Sequence, residues 1–240
     1  VENLLIDIGN TSVKIALSKG TEVLEVNKYR GNDILKFVEN FINGRSFDVI
    51  VVSSVRDTKK EDFNQLSSWC KKFVYLDNQT KIPIINKYST PSTLGSDRIA
   101  AAVAAVDLFP SQNCIIFDFG TAITIDFISD KGEFRGGNIS VGLRTRFKSL
   151  NHFTQKLPLL ENPQNISDIG GSTAEAIENG VVLGAIFEVE GYIKKYPGYN
   201  YIFTGGDAIY FAEKLKSSIF VVYNLVLMGL ARIADYHAEN

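Results

Sequence analysis

Leu4-Leu5-Ile6-Asp7-Ile8-Gly9-Asn10-Thr11 sets an acidic residue at the end of an apolar strand, then a glycine, then small polar side chains. Ile115-Ile116-Phe117-Asp118-Phe119-Gly120-Thr121-Ala122 repeats the device in the second half of the chain. A second apolar-alternating run follows each time, Val13 to Leu17 and Ile123 to Ile128. The glycine lets phosphate oxygens approach backbone N–H groups, and a carboxylate there can hold a cation or its waters. Facing one another across a cleft, two such turns would make a phosphoryl-transfer site. The plain alternative is that Asp7 and Asn10 only stabilise a tight turn.

The repeat extends into the surrounding pattern. Strand-like Asn3 to Ile8, Val13 to Leu17 and Val23 to Tyr29 open as a meander, followed by a helix over Asp33 to Asn43 and a strand over Val49 to Ser53. A second helix is expected over Lys60 to Cys70, with Cys70 at its end, and a strand over Phe73 to Leu76. After Pro83, Pro91 and a Ser/Thr-rich stretch comes an alanine-rich helix, Asp97 to Phe109. Cys114 begins a new strand block, with a partner near Glu133 to Ile139, and Leu143 to Phe153 reads as a helix. Ser172 to Lys195 is a long helix; Tyr201 to Phe203, a short helix, Ile219 to Val222 and a final apolar helix complete the chain. Strands alternating with helices predict an α/β architecture with helices covering mixed sheets. The expected halves are 1–110, with the acceptor-site helix, and 111–240, whose last helix packs back on the first.

Composition narrows the function. The 240 residues are 45% hydrophobic and 22% charged, and 25 basic against 27 acidic side chains leave a net charge of −2. That balance argues against a nucleic-acid footprint, which needs a concentrated basic face. No apolar run approaches the roughly 20 residues of a membrane span. Two distant cysteines, Cys70 and Cys114, fit a reducing cytoplasm better than a disulfide framework. Neither a signal core nor a basic leader opens the chain, and its first residue, Val1, is expected of a processed or shortened N-terminus. His152 and His237 have no metal-ligand spacing.

The segment Asp7-Ile8-Gly9-Asn10-Thr11-Ser12-Val13-Lys14 is neither a P-loop nor a dinucleotide fingerprint, because it resumes as a strand and lacks their glycine spacing. It reads as a phosphate-clasping hairpin. Lys14 either approaches phosphate or points outside. Thr121 is a second phosphate contact, Asp118 a cation ligand, and Asp126 a weaker ion-site candidate. Thr204-Gly205-Gly206-Asp207-Ala208 joins a strand to a helix N-terminus and suits adenosine or phosphate, with Asp207 otherwise an N-cap. On the acceptor side, Leu94-Gly95-Ser96-Asp97-Arg98 opens the alanine-rich helix. Asp97 is placed to accept a hydroxyl proton, as a carboxylate kept ionised by the helix field. Arg98 is placed to pair with an anionic acceptor. The ordinary reading is helix-terminus chemistry with a surface ion pair. Arg144, Arg146 and Lys148 form either an ATP-attracting cluster or a solvated face, and Ser172 and Thr173 are capping candidates.

Together, Asp7-Ile8-Gly9-Asn10-Thr11, Gly95-Ser96-Asp97-Arg98, Asp118-Phe119-Gly120-Thr121, Gly136-Gly137-Asn138-Ile139, Ser172 to Gly180 and Thr204 to Ala208 resemble the type III pantothenate kinase family over essentially the whole chain. The resemblance implies a duplicated actin-like ATPase fold, akin to acetate and sugar kinases and ribonuclease H-like. It also implies ATP-dependent phosphorylation of pantothenate, opening coenzyme A synthesis. By the same resemblance Asp97 is the catalytic base, and Tyr88, Gly95, Ser96, Asp97, Arg98 and Thr173 bind pantothenate. Asp7, Ile8, Gly9, Asn10, Thr11, Ser12, Val13, Lys14 and Thr121 bind ATP. Asp118 takes a monovalent cation, K+ or NH4+, and Asp7 takes Mg2+ through water. A homodimer is implied, with the Gly137 and Thr173 regions near the partner. Val141 departs from the family, which usually has proline there, and predicts a looser connection. Phosphorylation of another small hydroxy acid or sugar, or a non-catalytic nucleotide-dependent regulator, are the competing readings.

Overall fold

A computed structural model describes residues 2–239, so Val1 lies outside the described residues. The first sheet is built by β1 (Glu2–Ile8), β2 (Val13–Lys19), β3 (Glu22–Tyr29), β4 (Phe47–Ser54) and β5 (Cys70–Tyr75), in the order β3-β2-β1-β4-β5. β1, β2 and β3 form the expected antiparallel meander, and β4 joins β1 and β5 in parallel. Helix α1 (Ile34–Ile42) intervenes; the Asp33 side chain accepts from Lys36 N at 3.2 Å, and Asn43 ends it in a left-handed turn. Period-two alternation sends Leu4, Ile6, Ile8, Ile50 and Val52 to the face that buries Val38 and Ile42 of α1. Asn3, Leu5 and Asp7 consequently share the opposite face.

The second sheet repeats the plan. Its strands are β6 (Ile85–Asn86), β7 (Cys114–Phe119), β8 (Ala122–Ile128), β9 (Glu133–Val141), β10 (Asn200–Gly205) and β11 (Ile219–Val221), ordered β11-β10-β7-β8-β9-β6. Without the two-residue β6, β9-β8-β7-β10-β11 is the same permutation as β3-β2-β1-β4-β5. The parallel neighbours β7, β10 and β11 match β1, β4 and β5. The fold is therefore a duplicated α/β unit with mixed sheets and flanking helices. The other helices are α2 (Ser96–Leu108), α3 (Leu143–Phe153), α4 (Thr173–Lys195), α5 (Ala208–Ala212) and α6 (Leu225–Glu239).

The chain clusters into two compact units. One holds 1–112, 128–136 and 224–240; the other holds 113–127 and 137–223. Within the first, α6 packs on α2 so closely that a side chain at Gly229 would meet the Ala100 carbonyl. Alanines 100 to 102 and 104 to 105 give α2 the thin profile this approach needs. Within the second, Phe119 stacks on Phe211 of α5 at 4.5 Å and meets Phe203 of β10 at 4.8 Å. These rings anchor both turns at the ends of β7 and β10.

One helix differs from expectation. Lys60–Trp69 is 3₁₀ rather than α, and Cys70 starts β5 instead of ending a helix. Phe63 and Leu66 are buried and Trp69 packs partly against the same core. That three-residue spacing is the 3₁₀ period, which puts successive side chains in line along one edge. The short β6 and the 3₁₀ turn Pro91–Thr93 also lie where only an interruption was expected.

Candidate functional site

The turn after β1 closes a hairpin in which Asp7 pairs with Lys14 and Ile8 with Val13. Gly9 N donates to Ser12 O at 3.0 Å, fixing the loop. Asp7 is 8% exposed, while Asn10 and Thr11 at the tip are open to solvent. Lys14 is half-buried and directly opposite Asp7, so its stem shares the carboxylate's face of the sheet.

Alongside β1, the register of β4 places Ser53 next to Asp7 and Ser54 next to Ile8. Ser53 Oγ lies 2.9 Å from Ser96 Oγ. Ser96 Oγ also accepts from Ser54 N at 3.1 Å and donates to Ser54 O at 3.0 Å. These bonds fasten the first residue of α2 to the strand end beside the hairpin, and Asp97 follows immediately. Within this unit, then, the hairpin carboxylate and the Asp97 helix terminus are joined through Ser53, Ser54 and Ser96.

Gly95 serves the same geometry, because a Cβ there would come within 2.5 Å of Asp97 Oδ1. Asp97 Oδ1 accepts from Arg98 N at 2.8 Å. Burial pushes the Asp97 carboxyl above its ordinary value, against the lowering pull of the Arg98 backbone N–H and the Arg98 charge. This corrects the expected base with an unraised pKa: desolvation outweighs the helix field, and the carboxylate is the stronger base for it. Arg98 does not lie at the surface either. It is 6% exposed, and its guanidinium lies 5.8 Å from the rings of both Tyr88 and Phe134. Gly136, at φ +112, leaves room for the Tyr88 ring, which a Cβ would approach to 3.5 Å.

In the second unit, Asp118 pairs in register with Thr204, and Phe119 with Gly205. Gly205 adopts φ +90, and a side chain on it would collide with Asp118 Oδ1 and the Phe119 carbonyl. Asp207 N donates to Phe119 O at 3.2 Å, so the two turns expected to serve one nucleotide lie side by side. Asp207 occupies the N-cap position of α5 without a side-chain capping bond, and burial raises its carboxyl. Thr121 is exposed; its carbonyl accepts from Gly142 N at 3.1 Å and Thr145 Oγ1 at 2.9 Å. Asp126 on β8 is almost wholly buried.

Thr173 opens α4 after the cap Ser172, whose side chain accepts from Glu175 N at 3.3 Å. Thr173 also lines a groove of about 910 Å3 with Val141, Phe153, Ala176 and Gly180. The connection expected to loosen at Val141 is tied down. Arg146 Nε donates to Val141 O at 2.8 Å, and a side chain on Gly142 would strike the Gly120 and Thr121 backbone. Arg146 also binds Glu188 and Ser140, so only Arg144 and Lys148 of the basic trio remain exposed. Among the described residues no three His, Cys, Asp or Glu side chains converge on a metal position. A cation here would be held by one carboxylate together with substrate oxygens and water, a mode suited to Mg2+.

Residues 3–195 match the family model described as type III pantothenate kinase. The chain belongs to that family. A type III pantothenate kinase of Bacteroides fragilis is 43% identical over 239 residues, with 98% of each chain covered. Among solved structures, a Campylobacter jejuni protein described as a candidate Baf-family transcriptional activator superposes with TM-score 0.67 at 22% identity, covering 99% of this chain and all of that one. A candidate N-acetylmannosamine kinase from Listeria monocytogenes gives 0.60 at 12% over the full length of both. At such identities the structural likeness speaks for the fold, which is that of the actin-like ATPases and sugar kinases.

Within this type III pantothenate kinase family framework, the first unit brings together Asp7, Lys14, Ser96 and Asp97, and separately sets Tyr88 on Arg98. The second gathers Asp118, Gly205 and Asp207, with Thr121 tied to Gly142. Thr173 stands in its own groove. Sequence reasoning missed Ser53 and Ser54; the available signal was a pair of hydroxyls ending β4, just as Thr204-Gly205 ends β10. It also missed Arg56, whose Nε donates to Gly9 O at 2.9 Å.

Proposed function

We propose that this chain transfers the terminal phosphoryl group of ATP to the 4'-hydroxyl of pantothenate, giving 4'-phosphopantothenate and ADP, the opening step of coenzyme A synthesis. The observation that carries the mechanism is the bracing of Ser96 by Ser53 and Ser54, which sets Asp97 beside the Asp7–Lys14 hairpin. The hydroxyl oxygen forms the new P–O bond, its proton passes to an Asp97 carboxylate oxygen, and the bond to ADP breaks. The burial-raised basicity of Asp97 suits it to that proton. Positioning carries most of the rest in phosphoryl transfer.

Asp7, Ile8, Gly9, Asn10, Thr11, Ser12, Val13 and Lys14 form the donor-phosphate side, with Thr121 a further ATP contact. Mg2+ supplies charge neutralisation on the phosphates, and Asp7 is suited to orient it through water. Asp118, close against Gly205, is the carboxylate assigned to K+ or NH4+. Tyr88, Gly95, Ser96, Asp97, Arg98 and Thr173 are assigned to pantothenate, with Arg98 contributing the positive charge for its carboxylate.

A homodimer fits the second unit. Val141 and Phe153 line the groove beside Thr173 while 46% and 81% exposed, an apolar surface a second copy would cover. No helix among the described residues is long and apolar enough to cross a membrane, and the substrates proposed are those of the cytoplasm.

A mass-resolved product assay with ATP, Mg2+ and K+ tests the reading against a panel of pantothenate, short hydroxy acids and sugars. Phosphorylated pantothenate as the dominant product is expected. ATP hydrolysis without it, or preferential phosphorylation of another acceptor, overturns the assignment.

A further inference from the structure

In the second half of the chain, the strand β10 runs into the Thr204-Gly205-Gly206-Asp207 turn that neighbours Asp118. The equivalent strand of the first half, β4, runs into Ser53-Ser54-Val55-Arg56, which neighbours Asp7. The two connections are pinned alike: Val55 N donates to Ile8 O at 3.0 Å, as Asp207 N does to Phe119 O. Where the second half offers small residues and a carboxylate, the first offers an arginine.

Arg56 is half-buried, and its Nε is held at 2.9 Å by the carbonyl of Gly9, the glycine of the hairpin. Its own backbone N–H donates to Ser54 Oγ at 3.2 Å, and Ser54 Oγ accepts from Thr58 Oγ1 at 2.7 Å. Thr58 is fixed in turn by Tyr75, whose hydroxyl donates to Thr58 O at 2.8 Å. The loop is thus braced on two sides. Among the described residues no carboxylate lies within ion-pair distance of the Arg56 guanidinium. With Nε spent on the backbone, the terminal amines keep their charge and donors beside the hairpin tip, in the fork geometry that matches phosphate oxygens.

We propose that Arg56 is a donor-phosphate-binding residue, anchored through Nε on Gly9 and presenting its terminal amines to the β- and γ-phosphates of the nucleotide. This rests on the reading of the Asp7–Lys14 hairpin as the donor side. The same anchor makes the turn and the arginine one unit, so the charge arrives without the entropy loss of ordering a free side chain.

The test uses the full chain with Arg56→Gln and Arg56→Lys. Steady-state kinetics gives separate KM values for ATP and pantothenate, and calorimetric titration follows MgADP and AMP without turnover. Arg56→Gln is expected to weaken ATP and MgADP by about tenfold to a hundredfold. AMP affinity and pantothenate KM should stay near the wild-type values, melting temperature should fall by only the few degrees that the lost Nε–Gly9 bond accounts for, and Arg56→Lys should recover part of the affinity loss through its charge. Unchanged ATP and MgADP affinity in Arg56→Gln overturns the proposal while leaving the donor site intact. A parallel fall in melting temperature and AMP affinity with a rise in pantothenate KM also overturns it, since that is the pattern of a turn tether alone. Wild-type protein that binds no MgADP and consumes no ATP removes the donor-site reading, and Arg56 with it.

Discussion

Replacing Ser96 by alanine should damage both stability and turnover, by amounts that follow from three hydrogen bonds. Ser96 Oγ meets Ser53 Oγ at 2.9 Å, Ser54 N at 3.1 Å and Ser54 O at 3.0 Å. Each neutral bond contributes about 0.5–1.5 kcal/mol net. Ser53 is fully buried and loses the only hydrogen-bond partner its hydroxyl has among the described residues, whereas half-exposed Ser54 can recruit water. The expected destabilisation is therefore about 2–3 kcal/mol, toward the lower end if Ser54 is fully rehydrated. For a chain of this size that lowers the melting temperature by about 5–10 °C. Ser53→Ala removes one bond and should cost about 1 kcal/mol, and the double variant should show a coupling of about 1 kcal/mol between the sites. Because Ser96 precedes Asp97, kcat should fall by about tenfold to a hundredfold in Ser96→Ala, as expected when a reacting group shifts by an ångström or so. Urea unfolding with unchanged m-values, beside steady-state kinetics, measures all of this. Stability within about 0.5 kcal/mol of wild type, or no coupling between Ser53 and Ser96, would refute the reasoning that these hydroxyls fasten α2 to the strand end.

Three further outcomes follow from neighbouring geometry. The acid limb of kcat/KM should lie above the ordinary aspartate value of about 3.9, because burial raises Asp97 and protonation removes the base as pH falls; a limb at or below that value contradicts the assignment. Gly95→Ala should displace the Asp97 carboxylate, since the added methyl meets its Oδ1, so activity should drop far more than melting temperature when both are measured. Gly205→Ala combines a positive φ with collision against Asp118 and the Phe119 backbone, and should destabilise by more than about 1 kcal/mol in chemical unfolding while also weakening nucleotide binding.

Much of the fold was legible because local signals agreed. Ser172, one of the two capping candidates, caps α4, Asp33 starts α1 as its cap where the helix was expected to begin, and the alternation through Leu4, Ile6 and Ile8 marks one buried face. The repeat of Asp-x-Gly proved to sit at equivalent strand ends in two sheets whose strand permutations match once the two-residue β6 is set aside. What escaped the reading was set by contacts distant in sequence or by competition between effects. The bond from Ser53 to Ser96 links positions 43 residues apart, and nothing local announces it. The raised Asp97 carboxyl depends on burial, which a helix-terminus argument leaves out. Phe63, Leu66 and Trp69 recur every three residues, which fits an edge of a 3₁₀ segment but equally a stripe of about 120° on an α-helix, so the spacing alone did not separate the two.

Site residues divided along the same line. Gly95, Asp97 and Gly205 are held in place by the backbone around them, so their motifs were legible locally. Arg98 was placed on the right helix, but its setting against Tyr88 and Phe134 depends on tertiary packing. Arg146 was read with Arg144 and Lys148 by proximity in sequence, whereas its bonds to Glu188, Ser140 and Val141 turn it away from them.

Transfer of labelled phosphate from ATP to pantothenate by Asp97→Asn, at saturating substrates with Mg2+ and K+, tests the central claim most directly. A carboxamide keeps the size of the side chain and removes its basicity. With Asp97 as the base, kcat is expected to fall by about a hundredfold or more while MgADP affinity is preserved. Turnover within a few-fold of wild type would contradict it.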